Sequence, residues 1–350
     1  MSWFPTRRAV AFCTALATLS PGAVLAQAPS VEAFYKGKTI SLIVPFTAGG
    51  LNDLAARLVA RHLDRYIPGK PTIVVQNQPS AGGLALANRF ANSIDKDGLT
   101  LAIMGRALPQ FQIMGDPNAN FDPLKFTWLG SLSSYANDAY MLLLNTTAAA
   151  KTADDLRKPG PATPLGANRT GSTNVTFALL ARDVLKLNVQ VVRGFPGATD
   201  ITLAMQRGEV EGQTIDLSAV MSGQRDLWTS KKVRPVVQFG RLTRMADMPD
   251  VPTGRELVSD PKDSALLAFA ELPFFMAMPF AGPPEIPADR VKALQEGFMA
   301  MTKDPAFLAD AQKIGIDISA IDGNAVRKLI EDASKTPPDV LARFKKLVAE

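Results

Sequence analysis

The chain has 350 residues, of which 47% are apolar and 20% charged. That length suits roughly two domains, and the composition supplies a packed core, which excludes a wholly disordered or fibrous chain. With 38 Lys+Arg against 33 Asp+Glu the formal charge is +5, and there is one cysteine (Cys13) and one histidine (His62). Neither a Cys/His metal cluster nor an intramolecular disulfide can be built from that inventory, and a Ser-His-Asp hydrolase would have to use His62.

The first segment has the order of a secretory signal peptide. Arg7 and Arg8 give a positive start, Ala9–Leu19 is uncharged and of signal length, and Pro21-Gly22 breaks the run. Val24-Leu25-Ala26 and Ala26-Gln27-Ala28 both offer small-residue cleavage patterns. We therefore expect residues 1–28 to be removed on export, lowering the formal charge from +5 to +3 and leaving a mature chain without cysteine. That suits an oxidising compartment and excludes thiol catalysis. The apolar stretch Ala265–Gly282 contains Glu271, Pro273 and Pro279. It reads as a helix end followed by a buried strand rather than a membrane span.

In chain order, Thr39–Pro45 reads as a strand. Leu51–Tyr66 reads as a helix, with Leu51, Leu54, Ala55, Leu58, Val59 and Leu63 on one face. Thr72–Gln76 is a second strand, Leu84–Asn92 a helix and Leu99–Met104 a third strand. The alternation predicts a parallel α/β sheet. It restarts with helix Val175–Leu187, strand Val189–Val192, helix Ile201–Arg207, and strands Val210–Ile215 and Val233–Phe239. From Pro287 onward the chain is mostly helical. Two α/β units followed by a helical tail fit a two-domain protein with a cleft.

Three glycine-containing loops lie between strand and helix: Pro45–Asp53, Asn77–Gly83 and Gly166–Thr173. Glycines let backbone approach a ligand, and the helix N-termini beyond them offer unpaired N–H groups to an anion. Together they suggest an anion-binding cleft at strand ends. Neither GxxxxGK[ST] nor GxGxxG after the first strand is present, so nothing supports a nucleotide cofactor, and no cofactor is expected. His62 falls about 20° from Leu51 on a helical wheel, in the apolar face, as a core histidine would. Asp53, in the first helical turn, suits capping and the helix dipole. With 7% aromatic residues and no basic stripe, no nucleic-acid partner is expected.

These loops resemble those of the substrate-binding proteins of tripartite tricarboxylate transporters, the Bug family of extracytoplasmic receptors. The first is close: Ile43-Val44-Pro45-Phe46-x-x-Gly49-Gly50-x-x-Asp53. The second, Gln76-Asn77-Gln78-Pro79-Ser80-Ala81-Gly82-Gly83, is similar to E-N-R-P-G-A-G-G, and Asp97–Leu101 to D-G-Y-T-L. Gly171–Thr173, Arg207–Glu211 and Leu242–Thr253 fall where the family has similar segments, so the resemblance spans essentially the whole mature chain.

The resemblance implies a two-domain periplasmic-binding fold that closes on its ligand like a flytrap. It is an α/β fold, each domain a mostly parallel sheet flanked by helices, with a helical C-terminal segment. Residues 29–130 and 239–350 would form the first domain and 131–238 the second. It further implies that the two N-terminal loops grip one carboxylate of a small organic acid through backbone N–H groups and ordered waters. Carried over residue by residue, the first loop gives Phe46, Thr47, Ala48, Gly49, Gly50 and Asp53, and the second gives Ser80, Ala81 and Gly82. The opposing domain gives Thr170, Gly171, Ser172 and Thr173, with Phe195 as the aromatic contact and Asp216 near the family's aspartate.

The chain departs from the pattern at Ser80, where a glycine is usual, at Pro196, where a lysine is frequent, and at Arg169, where a small residue is expected. A guanidinium at Arg169 could select a second carboxylate. The function implied is a periplasmic, monomeric receptor that hands a small carboxylate to a membrane permease. An exported hydrolase acting on a carboxylated compound and a ligand sensor for a membrane signalling partner are the alternatives.

Overall fold

Six helices follow directly on the C-terminal ends of parallel strands, and that arrangement positions everything below. The structure is a computed structural model that describes residues 1–3, 30–80 and 83–350. Nearly all of the expected signal peptide, and the loop candidates Ala81 and Gly82, lie outside the described residues.

After a short helix α1 (Val31–Tyr35), strand β1 (Thr39–Val44) leads into α2 (Leu51–His62). Next come β2 (Thr72–Asn77), α3 (Leu84–Asn92), β3 (Thr100–Ile103) and α4 (Leu108–Ile113). The chain then runs through β4 (Thr127–Ser131) and crosses to a second sheet that starts with β5 (Tyr140–Asn145). There it forms β6 (Thr163–Gly166), α5 (Thr173–Asp183), β7 (Val189–Val192), α6 (Ala198–Arg207) and β8 (Gly212–Asp216). Helices α7 (Leu217–Gly223) and α8 (Arg225–Thr229) precede β9 (Val233–Phe239). A long helix, α9 (Pro261–Phe275), leads to β10 (Pro279–Gly282). The tail is α10 (Ala288–Met301), α11 (Pro305–Lys313), β11 (Ile321–Asp322), α12 (Gly323–Ser334) and α13 (Pro338–Ala349). The stretch Ala265–Gly282 is thus the body of α9 followed by a fully buried strand.

The first sheet has the order β11-β4-β10-β3-β1-β2 and the second β7-β6-β8-β5-β9. In the first, β1, β2 and β3 pair in parallel while the returning β10 inserts antiparallel between β3 and β4. In the second, β6, β7 and β8 are parallel and β5 inserts antiparallel between β8 and β9. Most strands of each sheet therefore point one way, as expected. The strands β4 and β5, which the alternation of the sequence does not reveal, carry the chain from one sheet to the other.

Two connections cross between the sheets, 132–139 and 240–278. Arg241 ties them together: its guanidinium donates to the carbonyls of Tyr135 (3.0 Å), Ala136 (2.8 Å) and Asp138 (2.8 Å). Within the second connection the buried Glu271 pairs with Arg255 at 2.6 Å and accepts from the Gly240 N–H at 2.9 Å. Burial pushes the Glu271 carboxyl above its ordinary range, against the pull of Arg255 and that N–H.

Segment 239–350 divides between the two sheets. β10 and β11 join the first. Helix α13, by contrast, buries Val340, Phe344 and Leu347 in the core that α5 and the second sheet share with α9. The i, i+4, i+7 spacing of those three residues gives the helix one apolar stripe, and that stripe finds its partner in α9 and α5.

Candidate functional site

The first loop is held open to solvent by a buried carboxylate. Thr47, Ala48, Gly49 and Gly50 are exposed, while Phe46 packs partly into the core beside α2. Asp53, only 2% exposed, accepts from the Gly49 N–H (2.8 Å), from Arg57 Nε (3.0 Å) and from Asn77 Nδ2 (2.8 Å). Asn77 also donates to the Phe46 carbonyl at 3.3 Å, and Arg57 donates to Asn77 Oδ1 at 2.9 Å. Burial raises the Asp53 carboxyl, but the bonds from Arg57, the Gly49 amide and Asn77 outweigh it and hold the group below its ordinary value. Asp53 and Asn77 thereby fix the first loop to the second. Asp53 thus braces the loop, with Oδ2 taking two of these bonds and Oδ1 one.

The second loop continues that contact. The Ser80 N–H donates to the Pro45 carbonyl at 3.2 Å, and the Ser80 hydroxyl is buried with no partner among the described residues. Gly83 sits at φ +91°, and a Cβ there would meet Pro45 Cγ at 3.4 Å, Leu108 Cδ1 at 3.5 Å and the Gly105 N–H nitrogen at 3.6 Å. The loops after β1, β2 and β3 therefore converge at one edge of the first sheet.

The third loop is stiffened from within. Asn174, buried at the start of α5, accepts from the Ser172 hydroxyl at 2.7 Å and from the Asn168 N–H at 3.3 Å, and its amide donates back to Asn168 Oδ1. Asn168 in turn donates to the Pro196 carbonyl at 3.2 Å, and the Phe195 N–H to the Ala167 carbonyl at 3.3 Å. The loops after β6 and β7 are thus one unit, with Phe195 half-buried against α6. Thr170, Gly171 and Thr173 are exposed. Arg169 is exposed too, and its guanidinium has no hydrogen-bond partner among the described residues.

Several helices of this chain, α10 and α13 among them, start without a side-chain cap. Helices α2, α3, α5 and α6 follow β1, β2, β6 and β7, and none has a side-chain cap at its N-terminus. Helices α9, α11 and α12, away from these loops, are capped by Asp260, Asp304 and Asp322. Uncapped first turns leave amide N–H groups and the positive dipole end free for an anion.

The two edges meet in a cavity of about 260 Å³. Arg106, Gln110, Phe111 and Met114 line it from the first sheet's side and Gly171, Thr173, Thr176 and Phe177 from the second's, with Phe274 of α9 between them. Beneath lies an aromatic cluster in which Phe274 approaches Tyr135 at 4.8 Å and both Tyr140 and Phe177 at 5.2 Å. Asp216, at the end of β8, accepts from the Tyr135 hydroxyl. Burial raises its carboxyl above the ordinary range, and the nearby positive charge of Arg106 opposes that rise. Of the residues expected at the site, Gly171 and Thr173 line this cavity; Phe46–Gly50 and Ser80 stand outside it.

Sequence reading missed Arg106, Phe177 and Phe274. The available signal was position: Gly105-Arg106 directly follows β3, and ligands of open α/β sheets gather at strand C-terminal ends.

His62 lies elsewhere. It ends α2, eleven residues and about 16 Å along the helix from the first loop. It is buried, its Nε2 is 3.0 Å from Asp310 Oδ2, and its ring meets Phe307 edge to face. Among the described residues there is no cluster of three or more His, Cys, Asp or Glu side chains that could hold a metal ion, and no helix long and apolar enough to cross a membrane.

Comparison with known proteins bears on this arrangement. Residues 55–344 match the model of the tripartite tricarboxylate transporter family receptor, TctC. A relative from Cupriavidus necator, the UPF0065 protein in the gbd 5′ region, is 26% identical over 266 residues, 73% of each chain. A TctC solute-binding protein from Polaromonas, solved without ligand, superposes with a TM-score of 0.69 at 19% identity, over 90% of this chain and 99% of that one. A protein from R. palustris solved with adipate superposes with a TM-score of 0.56 at 19% identity, over 89% and 96%. The chain belongs to the tripartite tricarboxylate transporter receptor family, and its two-sheet architecture is that of the family's solute-binding proteins.

Proposed function

We propose that this receptor captures a small organic carboxylate between its two sheets and delivers it to a membrane permease, acting outside the cytoplasm after removal of residues 1–28. The observation that carries the reading is that α2, α3, α5 and α6 all start, without side-chain caps, just past the C-terminal ends of parallel strands. Their free amides suit a carboxylate, which needs several N–H donors and no chemistry. The solved relative with adipate supports a carboxylate as the cargo.

Phe46–Gly50 and Ser80–Gly82 would hold the first carboxylate, with Thr170–Thr173 and Phe195 closing over it from the second sheet. Arg169 and Asp216 would contribute from that second side. A catalytic role is disfavoured by the placement of His62, paired with Asp310 at the far end of α2. The signal-peptide pattern of residues 1–28 supports the periplasm as the site of action.

A thermal-shift screen of organic acids, on exported protein dialysed free of co-purified ligand, tests the reading. An acid present at 100 times its Kd should add roughly 2.7 kcal/mol of stability. A panel of mono-, di- and tricarboxylates that leaves the melting temperature unmoved would overturn it.

A further inference from the structure

Arg106 is the charged side chain of the cavity wall, and no carboxylate among the described residues lies within ion-pair distance of it. It is half-buried and lines the cavity between the sheets. Among the described residues its guanidinium makes no hydrogen bond and no ion pair, and it lies over the face of Phe274, 5.1 Å from the ring centre. Asp216 is near enough to feel its field but is not within ion-pair distance, and that carboxylate already takes the Tyr135 hydroxyl. Arg169 is likewise without a partner among the described residues but is exposed, whereas Arg106 is half-buried, and two other arginines near the cleft are engaged. Arg57 is bonded to Asp53 and Asn77, and Arg241 to three carbonyls.

The setting favours an anion on Arg106. A guanidinium withdrawn from water with its donors unused costs free energy, and an incoming carboxylate would recover it through two parallel N–H···O bonds. Phe274 holds the planar group in place from behind, so little freedom is lost on pairing. The rest of the wall is largely apolar, with Phe111, Met114, Phe177, Phe344 and Val348, and suits a hydrocarbon spacer. Position supplies the remaining step. Gly105, one residue before Arg106, lies beside Gly83, which also packs beside Pro45; Gly83 and Pro45 belong to the two loops that would hold the first carboxylate.

We propose that Arg106 binds the second carboxylate of the cargo, so that the receptor selects α,ω-dicarboxylates with an apolar spacer over the matching monocarboxylates. This rests on the carboxylate-receptor reading above, and it assigns the distal anion to the loop after β3 rather than to Arg169. Charge-assisted hydrogen bonds set the scale: the second carboxylate should improve affinity about 10- to 100-fold.

The test is calorimetric titration of the mature protein with two probe series, the straight-chain dicarboxylates from succinate to sebacate and the monocarboxylates of equal carbon number. At least one diacid should bind tenfold or more tightly than its monoacid. In Arg106→Gln that ratio should fall to within threefold of one, while the monoacid Kd changes less than threefold and the melting temperature without ligand stays within a few degrees. A wild-type protein that binds both series equally, or an Arg106→Gln variant that keeps its diacid preference or weakens both series alike, would overturn the proposal and leave the receptor reading standing. Binding of neither series would overturn that reading, and the proposal with it.

Discussion

Asp53 shows how one buried carboxylate can set the shape of an exposed loop through its own hydrogen bonds. It spends its oxygens on Gly49, Arg57 and Asn77, which join two chain segments 24 residues apart. Asp53→Ala should cost about 1–3 kcal/mol in urea unfolding at pH 7 and weaken the bound carboxylate about tenfold. The pH dependence has a defined sign. The folded carboxyl is held below its ordinary value, so its contribution is complete above about pH 4 and is lost as the pH falls through the lower folded value. The stability gap between wild type and Asp53→Ala should therefore narrow as the pH is lowered toward 2. A gap that is absent at pH 7 would contradict the positioning role. The sequence marks Asp53 as a residue of the site but not its duty, because Asn77, the partner that shows it, lies on another strand.

The elements divide between those that announce themselves and those that depend on distant partners. β1, β2, β3 and their helices alternate with clean periodicity, and β1 pairs in parallel with both β2 and β3. β4 and β5 are different. Trp128, Leu129 and the run Met141–Leu144 are buried on both faces, so they show no alternation, and β4 pairs with strands about 150 or more residues later. The antiparallel insertions are invisible to local pattern for the same reason. The loop after β3 lacks the paired glycines that draw attention to the other loops, which is why Arg106 goes unseen in the sequence while its neighbours do not.

Helix α13 is likewise legible as a helix but not in its docking. Phe344 is 5% exposed and meets Phe269 of α9 edge to face at 5.2 Å. Phe344→Ala should destabilise the protein by about 3–4 kcal/mol in urea unfolding. A cost under 1 kcal/mol would mean that α13 is not part of the second sheet's core.

At the scale of the whole molecule, two sheets joined by two connections leave their loop-bearing edges facing across a shared cavity. Arg241 and the Glu271–Arg255 pair brace the connections, and a ligand gripped from both edges would favour a closed arrangement by its extra contacts. The receptor role requires that a carboxylate occupy that space and leave it unchanged. The direct measurement is titration of the mature protein with the acid that most raises its melting temperature, followed by release and quantification of that acid after a day at stoichiometric protein. The account predicts one saturable site per chain and complete recovery of unaltered acid. Conversion of the acid to product, or the absence of a saturable site for any carboxylate, would contradict it.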